Sequence, residues 1–320
     1  MSYKTDPAGI ILRAATAGEL PAARALFGRA FGRDADEERW RRKYFENPAG
    51  PVVAFGAFAE DRLVSFVALH PARFVVRGEP TVVYAPGDSM TDPDFRLRGF
   101  QVRLKSLARD WSIAHGVSFI YSFPNTGSRA VNKRAGYSLV GRFTRWARGV
   151  AAYRGRVDAE PSPGISRVDP GDPRLAVAWE QARGRWAIAG VRDGYFLAWR
   201  FADRPVAVWL AGGGDPRGYV IAERTRRGVW IRDLVAARPD AAVIRQLLAA
   251  VTAYARAEGA RHVVFAYRGG CYRGALMGAG FAPLPGGARV TVLPLLQTQG
   301  SAIRRREWFL TDADRDLENF

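Results

Sequence analysis

The same succession of strands and helices is written twice along this chain, on either side of a stretch without apolar periodicity, and a sequence so built folds as two like units. The intervening stretch is Ala151–Pro173, where Pro161-Ser162-Pro163-Gly164 is followed by Asp169-Pro170-Gly171-Asp172-Pro173. It reads as a linker between residues 1–150 and residues 174–320. Sliding the first half by 144 positions lays Phe119 on Val263, Tyr121 on Phe265 and Gly136-Tyr137 on Gly280-Phe281. Trp40 to Pro48 and Phe196 to Pro205 also echo each other, with aromatic, basic and proline residues in similar order. A length of 320 residues agrees with two cores rather than one.

In the first half the pattern predicts a strand at Ile10–Arg13 and a helix over Glu19–Phe31, where Leu20, Ala23, Phe27, Ala30 and Phe31 recur at helical spacing. Strands at Val52–Ala59 and Leu63–Phe74 are joined by the polar turn Glu60-Asp61-Arg62. A strand over Pro80–Thr91, a helix over Gly99–His115 and a strand over Ser118–Phe123 follow, then a short helix before Ala135-Gly136-Tyr137. The second half repeats this with strands at Val206–Ala211, Gly218–Glu223 and Val229–Ala236, a helix at Ala241–Glu258 and a strand at His262–Tyr267. Antiparallel strands followed by a strand–helix–strand crossover imply an α/β (α+β) class, a mixed central sheet flanked by helices in each unit. Pro86-Gly87 suits a bulge or bend that splays the two parallel strands apart.

Composition narrows the surroundings. No apolar run is long enough to span a bilayer, and Met1 to Ile10 lacks the pattern of a signal peptide. A lone Cys271 allows no intrachain disulfide, so a reducing cytoplasm is the expected compartment and a packing role the expected one for its thiol. The net charge of +17 divides as +9 over residues 1–150 and +8 over the rest, without a polybasic tail. Only four of the 48 basic residues are lysine: Lys4, Lys43, Lys105 and Lys133. An anionic ligand is electrostatically welcome, but charge alone does not choose between a nucleotide and a nucleic acid.

The stretch that carries chemistry runs from Gly87 to Gln101, between a strand and an amphipathic helix. A strand-to-helix turn reading Arg96-Leu97-Arg98-Gly99 exposes several backbone N–H groups at the positive end of a helix, which makes an anion cradle. Gly99 permits close backbone approach, and Arg96 and Arg98 add formal charge. Read as a turn alone, the same residues need no ligand.

With Thr91-Asp92-Pro93 before it, this turn resembles the acyl-CoA pyrophosphate loop of the GNAT acetyltransferase superfamily, Arg/Gln-x-x-Gly-x-Gly/Ala after a Val-x-Pro strand end. Phe123-Pro124-Asn125-Thr126-Gly127-Ser128 and Lys133-Arg134-Ala135-Gly136-Tyr137 resemble the second signature of that family. The likeness covers most of residues 10–150 and, more faintly, 175–295, as two tandem GNAT-like domains. It implies an N-acetyltransferase that moves an acetyl or other acyl group from acetyl-CoA to a primary amine of a small molecule or amino sugar. It also implies a donor site at Met90, Thr91, Arg96, Leu97, Arg98, Gly99, Phe100, Gln101, Asn125 and Ser128. The reaction needs a base for the amine proton, with Asp88 the first candidate and Tyr84 a second, and Asn125 is placed to hydrogen-bond the donor arm or the substrate. Beside these stand plainer roles, a turn carboxylate for Asp88 and an Asx cap for Asn125.

Two departures from the family pattern are evident. Gln101 stands where Gly or Ala is usual, and Asn132 stands where many members carry a Tyr that protonates the leaving thiolate. In the second half the loop equivalent, Ala237-Arg238-Pro239-Asp240-Ala241-Ala242, has no glycine, so that copy is expected to be degenerate and unable to bind CoA. His70, His115 and His262 lack companions at metal spacing, so no metal is expected. Two alternatives stay open: a Fem-type transferase using aminoacyl-tRNA, and a non-catalytic tandem protein that senses CoA or binds a partner. A homodimer is compatible with the sequence.

Overall fold

The computed structural model describes residues 4–5, 9–151, 163–201, 203–238, 240–295 and 308–315. Pro239 and Arg304-Arg305-Arg306 therefore lie outside the described residues, as do 152–162 of the expected linker. Along the first half run β1 (Lys4–Thr5), β2 (Ile11–Ala15), α1 (Leu20–Phe31), α2 (Glu37–Phe45), β3 (Val53–Ala59), β4 (Arg62–Val76) and β5 (Glu79–Thr91). They continue with α3 (Phe100–Ala114), β6 (Phe119–Ser122), α4 (Ser128–Arg134), β7 (Ser138–Arg142) and β8 (Thr144–Gly149). The second half contains β9 (Ile165–Val168), α5 (Pro173–Ala182), β10 (Ile188–Gly190), α6 (Gly194–Phe201), β11 (Val206–Ala211), β12 (Gly218–Thr225) and β13 (Gly228–Ala236). After these come α7 (Ala241–Ala257), β14 (His262–Arg268), α8 (Arg273–Gly278), β15 (Ala282–Leu284), β16 (Arg289–Pro294) and β17 (Trp308–Thr311).

Strands β1 to β5 form an antiparallel meander, and β5 meets β6 in parallel across the α3 crossover. Apolar side chains on one face pack against α3 through Phe100, Leu104, Leu107 and Ala108, and on the other against α1 and α2 through Leu26, Phe27 and Trp40. The second sheet repeats the arrangement, with β11, β12 and β13 antiparallel and β13 parallel to β14. Helix α7 covers it with Val243, Leu247, Leu248 and Val251. Within the stretch expected to be linker, Ile165–Val168 instead adds an edge strand to β11.

The two sheets exchange strands. β16, from the second half, lies between β6 and β7 of the first sheet. β8, from the first half, pairs along β14 from His262 to Tyr267 and also with β15. The last strand of each parallel pair, β6 or β14, has an outer edge without a partner from its own unit, and each unit fills that edge with a strand of the other. β17 bridges the sheets by pairing with both β14 and β10, while β10 pairs with the far end of β4. The seam has its own core, including Phe74, Tyr121, Phe143, Ile188, Val292, Trp308 and Leu310.

The two echoing aromatic segments meet at this seam. Trp199 Nε1 donates to the Arg42 carbonyl at 3.2 Å, and the Arg42 guanidinium pairs with Asp203. Trp40 stacks on Tyr44 at 4.5 Å, and Phe201 is buried. Cys271 differs from expectation: it follows the end of β14 on an exposed turn rather than packing in the core.

Candidate functional site

The turn after β5 is held rigidly. Asp92 is buried at its base and accepts from Arg29 at 2.8 Å and Arg62 at 2.7 Å. Arg96 reaches back to the Ala30 carbonyl at 2.9 Å. Leu97 and Gly99 then adopt positive φ, +65° and +78°, so the chain curls and its N–H groups face one way. No side chain caps α3, whose N-cap is Gly99, and a Cβ there would meet nothing within 4 Å. Among the described residues the N–H groups of Leu97 to Gln101 have no acceptor. An open helix start flanked by two arginines fits a pyrophosphate.

Gln101 does not block this cradle. Its amide nitrogen lies 2.8 Å from the Met90 carbonyl and 3.0 Å from both the Phe66 carbonyl and Ser65 Oγ. It serves backbone groups freed where the β4–β5 register shifts between Phe66 and Ala68. There Asp88 and Ser89 oppose the single residue Val67, so the bulge falls one residue beyond the expected Pro86-Gly87. Asp88 carries it at a φ of +47°, a conformation that Asp tolerates better than most residues.

The bulge turns β5 away from β6. Their pairing is confined to Tyr84 opposite Ile120, and beyond it the strands open onto a cavity of about 590 Å³. Ala85 to Ser89 line one side of the gap and Tyr121 to Phe123 the other. Gln101 and Lys105 of α3 form the floor, with Asn125, Ser128 and Asn132 at the α4 end. The opposite wall comes from the second half: Val191, Phe196, Trp199, Arg200 and the segment Ala313 to Arg315.

Asp88 is buried in this wall and fully engaged. Lys43 Nζ donates to it at 2.9 Å and Tyr44 Oη at 2.7 Å, and His70 Nε2 lies 3.3 Å away. Burial alone raises the proton affinity of its carboxyl, but Lys43, His70 and Tyr44 outweigh that and hold it well below the usual carboxylate range. A carboxylate so held accepts a proton poorly. His70 lines the cavity, and neither of its ring nitrogens has a hydrogen-bond partner among the described residues, the Nε2 approach to Asp88 being a charge contact.

The other expected site residues are spread differently. Tyr84 is not part of the cavity lining; it packs edge-on against Trp111 at 5.6 Å, where burial raises the proton affinity of its phenol. Asn125 accepts from Ser128 N at 2.9 Å and Ser128 Oγ at 3.1 Å, which caps α4 at the cavity edge. Met90 and Phe100 are buried, Thr91 Oγ1 bonds Ser65 Oγ at 2.8 Å, and Arg96, Leu97, Arg98 and Gly99 form the exposed cradle. Asn132 is buried with its nitrogen 3.1 Å from Ser122 Oγ, and its Oδ1 has no partner among the described residues.

Sequence reading missed Lys43, Tyr44, His70 and Lys105. One signal was available: in a chain whose cations are nearly all arginine, two of the four lysines, Lys43 and Lys105, are buried at this cavity. Lys105 has no carboxylate partner among the described residues, only the Tyr137 ring at 5.7 Å, and burial pulls its pKa down to about 8.

The equivalent place in the second half is closed by the protein itself. Asp240 caps α7, accepting from Ala242 N at 2.8 Å and Val243 N at 3.2 Å, so a carboxylate already stands where an anion would bind. Beyond the β13–β14 pairing, β17 fills the gap, and Thr311 Oγ1 donates to Asp233 at 2.7 Å. Tyr272 Oη accepts from the Ala236 N–H at 3.1 Å.

Comparison with known proteins agrees with this geometry. Residues 12–140 match the family model described as an acetyltransferase (GNAT) domain. Among solved structures, a probable N-acyltransferase of Enterococcus faecalis aligns with a TM-score of 0.71 at 16% identity, covering 89% of this chain and 72% of that one. A GCN5-related N-acetyltransferase of Anabaena variabilis aligns at 0.71 and 15% identity, covering 92% and 75%. The N-myristoyltransferase of Saccharomyces cerevisiae, solved with myristoyl-CoA, aligns at 0.57 and 9% identity, covering 88% and 79%. At these identities the likeness is one of fold. A search of curated protein sequences found no match.

Proposed function

We propose, on the premise that residues 12–140 are a domain of the GNAT acetyltransferase family, that the protein transfers an acyl group from acetyl-CoA to the primary amine of a small molecule. The observation that carries this reading is the opening between β5 and β6, flanked by an uncapped helix start and continuous with a closed-in cavity. When bound, the donor supplies a thioester carbonyl to that opening. The N–H groups of Leu97 to Gln101 and the guanidinium groups of Arg96 and Arg98 would hold its pyrophosphate.

In the cavity the acceptor amine must lose a proton to be nucleophilic. His70 faces this space with Asp88 at its back, and Asp88 is kept ionised by Lys43 and Tyr44. The carboxylate, 3.3 Å from Nε2, steadies the charge the imidazole gains, so His70 takes the proton and Asp88 acts behind it. As the nitrogen bonds the acyl carbon the C–S bond would break, and coenzyme A would leave as a thiolate that recovers the proton from the His70 imidazolium; placement of the amine against the carbonyl supplies much of the remaining rate. The second unit contributes a wall rather than a second donor site, because Asp240 and β17 fill the corresponding space.

Calorimetric titration with acetyl-CoA, comparing wild type with Gly99→Pro, tests the reading. Binding near one equivalent, lost in the variant because Pro cannot adopt the φ of +78°, is the expected result. Absence of binding at high micromolar donor removes acetyl-CoA from consideration and returns attention to aminoacyl-tRNA or a partner protein.

A further inference from the structure

The wall of the cavity is charged in one sense. Six side chains bring a positive charge to it, Arg33, Lys43, Arg73, Lys105, Arg200 and Arg315, against two lining carboxylates, Asp88 and Asp314; Asp193 pairs with Arg73 at 2.6 Å and Asp312 with Arg315 at 3.2 Å from outside the lining, and cations remain in excess. Both carboxylates are spent within the protein. Asp88 is held by Lys43, Tyr44 and His70, and Asp314 by Arg192 at 2.5 Å and the Thr311 N–H at 2.8 Å. Neither is left to receive a protonated amine or a second ammonium group. Lys105, buried and without a carboxylate partner among the described residues, leaves positive charge uncompensated at the floor.

Resting on the transferase reading, we propose that the acceptor is an amine that also carries an acidic group, a carboxylate or a phosphate, and that polycationic amines are excluded. Two effects of the wall act in the same direction. A positive field lowers the proton affinity of the entering amine and so favours its neutral, nucleophilic form. The same field needs a counter-charge, which an acidic group on the acceptor supplies through charge-assisted hydrogen bonds to the arginine forks. Phe196 and Trp199 offer apolar surface beside these cations, which suits a compact acceptor with an apolar body. The donor's phosphates have their own cations at Arg96 and Arg98, neither of which belongs to this lining.

The test uses the full chain, acetyl-CoA and acceptors in matched pairs: phenylalanine against phenylalaninamide, glucosamine 6-phosphate against glucosamine, and spermidine as a polycation. Thiol release gives kcat/KM for each. The acidic member of at least one pair is expected to exceed its neutral congener by about tenfold or more, a loss consistent with one charge-assisted contact. The preference is informative because the amide, whose amine is less basic, offers the larger neutral fraction. Which pair responds tells carboxylate from phosphate. Arg315→Gln should narrow the preference, and it is a mild change because Asp312 keeps Arg232 at 3.1 Å.

Equilibrium binding of the same pairs, followed by tryptophan fluorescence, keeps the two readings separable. Thiol release with spermidine or the neutral members preferred overturns this proposal and leaves the transferase standing. Selective binding of acidic amines without thiol release supports the proposal and counts against the transferase. Equal binding of all members overturns the proposal whatever the turnover.

Discussion

Replacing Lys105 by Met should make the protein more stable at neutral pH, and the gain should vanish as the pH rises. Lys105 is buried in α3 against the Tyr137 ring, with its pKa pulled down to about 8 from the usual 10.5 by burial. At about 1.4 kcal/mol for each tenfold change in proton affinity, that gap corresponds to about 3 kcal/mol of destabilisation while the amine is charged in both folded and unfolded chains. Below pH 8 the full cost is present. Between pH 8 and 10.5 the unfolded chain holds more protons than the folded one, so the cost falls, and above 10.5 it is gone. Loss of the contact with Tyr137 takes back about 0.5–1 kcal/mol, which leaves an expected gain of about 2 kcal/mol at pH 7. Urea unfolding of wild type and variant at pH 7, 8.5 and 10 measures this, and the difference between the two chains cancels other groups that titrate in that range. A variant no more stable than wild type at pH 7, or a gain that does not change with pH, would refute the argument.

Three other substitutions probe separate parts of the site. His70→Gln should lower kcat by about a hundredfold and leave acetyl-CoA binding intact, read by steady-state kinetics beside calorimetry; an unchanged kcat removes His70 as the base. Asp240→Ala should cost about 1 kcal/mol in urea unfolding through loss of the α7 cap, without creating a second binding equivalent in the donor titration. Leu97→Gly should relieve a leucine held at a φ of +65° with its side chain wholly exposed, for a gain of up to about 1 kcal/mol by thermal or urea unfolding. A loss of stability there would mean that Leu97 makes contacts in solution that offset the strain.

The parts of the fold legible in the sequence are those set by local pattern. Helix α3 lies one residue inside its expected ends, and Phe100, Leu104, Leu107 and Ala108 at helical spacing carry its apolar buried face. Toward its turn the β4–β5 hairpin runs two residues further on β4 and one on β5 than its apolar pattern, because Arg77 and Gly78 both adopt positive φ and make a tight turn. The cradle was legible too, since glycine before an amphipathic helix is a local feature. The cavity wall was not. Lys43 and Asp88 are 45 positions apart, and nothing in either neighbourhood announces the other. Asp88 stood out as a carboxylate on a bulge, but its proton affinity depends on Lys43 and Tyr44 of α2 and His70 of β4, which two separate elements bring to it. The exchange of β8 and β16 was equally hidden, because a strand's sequence fixes which face is buried and not which sheet it joins.

That exchange sets an order of events at the ribosome. The first sheet holds a gap between β6 and β7 that Arg289–Pro294 fills, so the amino-terminal half emerges into solution and waits through synthesis of most of the rest of the chain before its sheet can close. During that interval the facing edges of β6 and β7 are open to any strand that passes, a neighbouring nascent chain included. Expression yield should therefore depend on elongation speed and on chaperone supply more than the stability of the finished protein suggests. A gene cut at the linker should give two pieces that stay soluble only when made together.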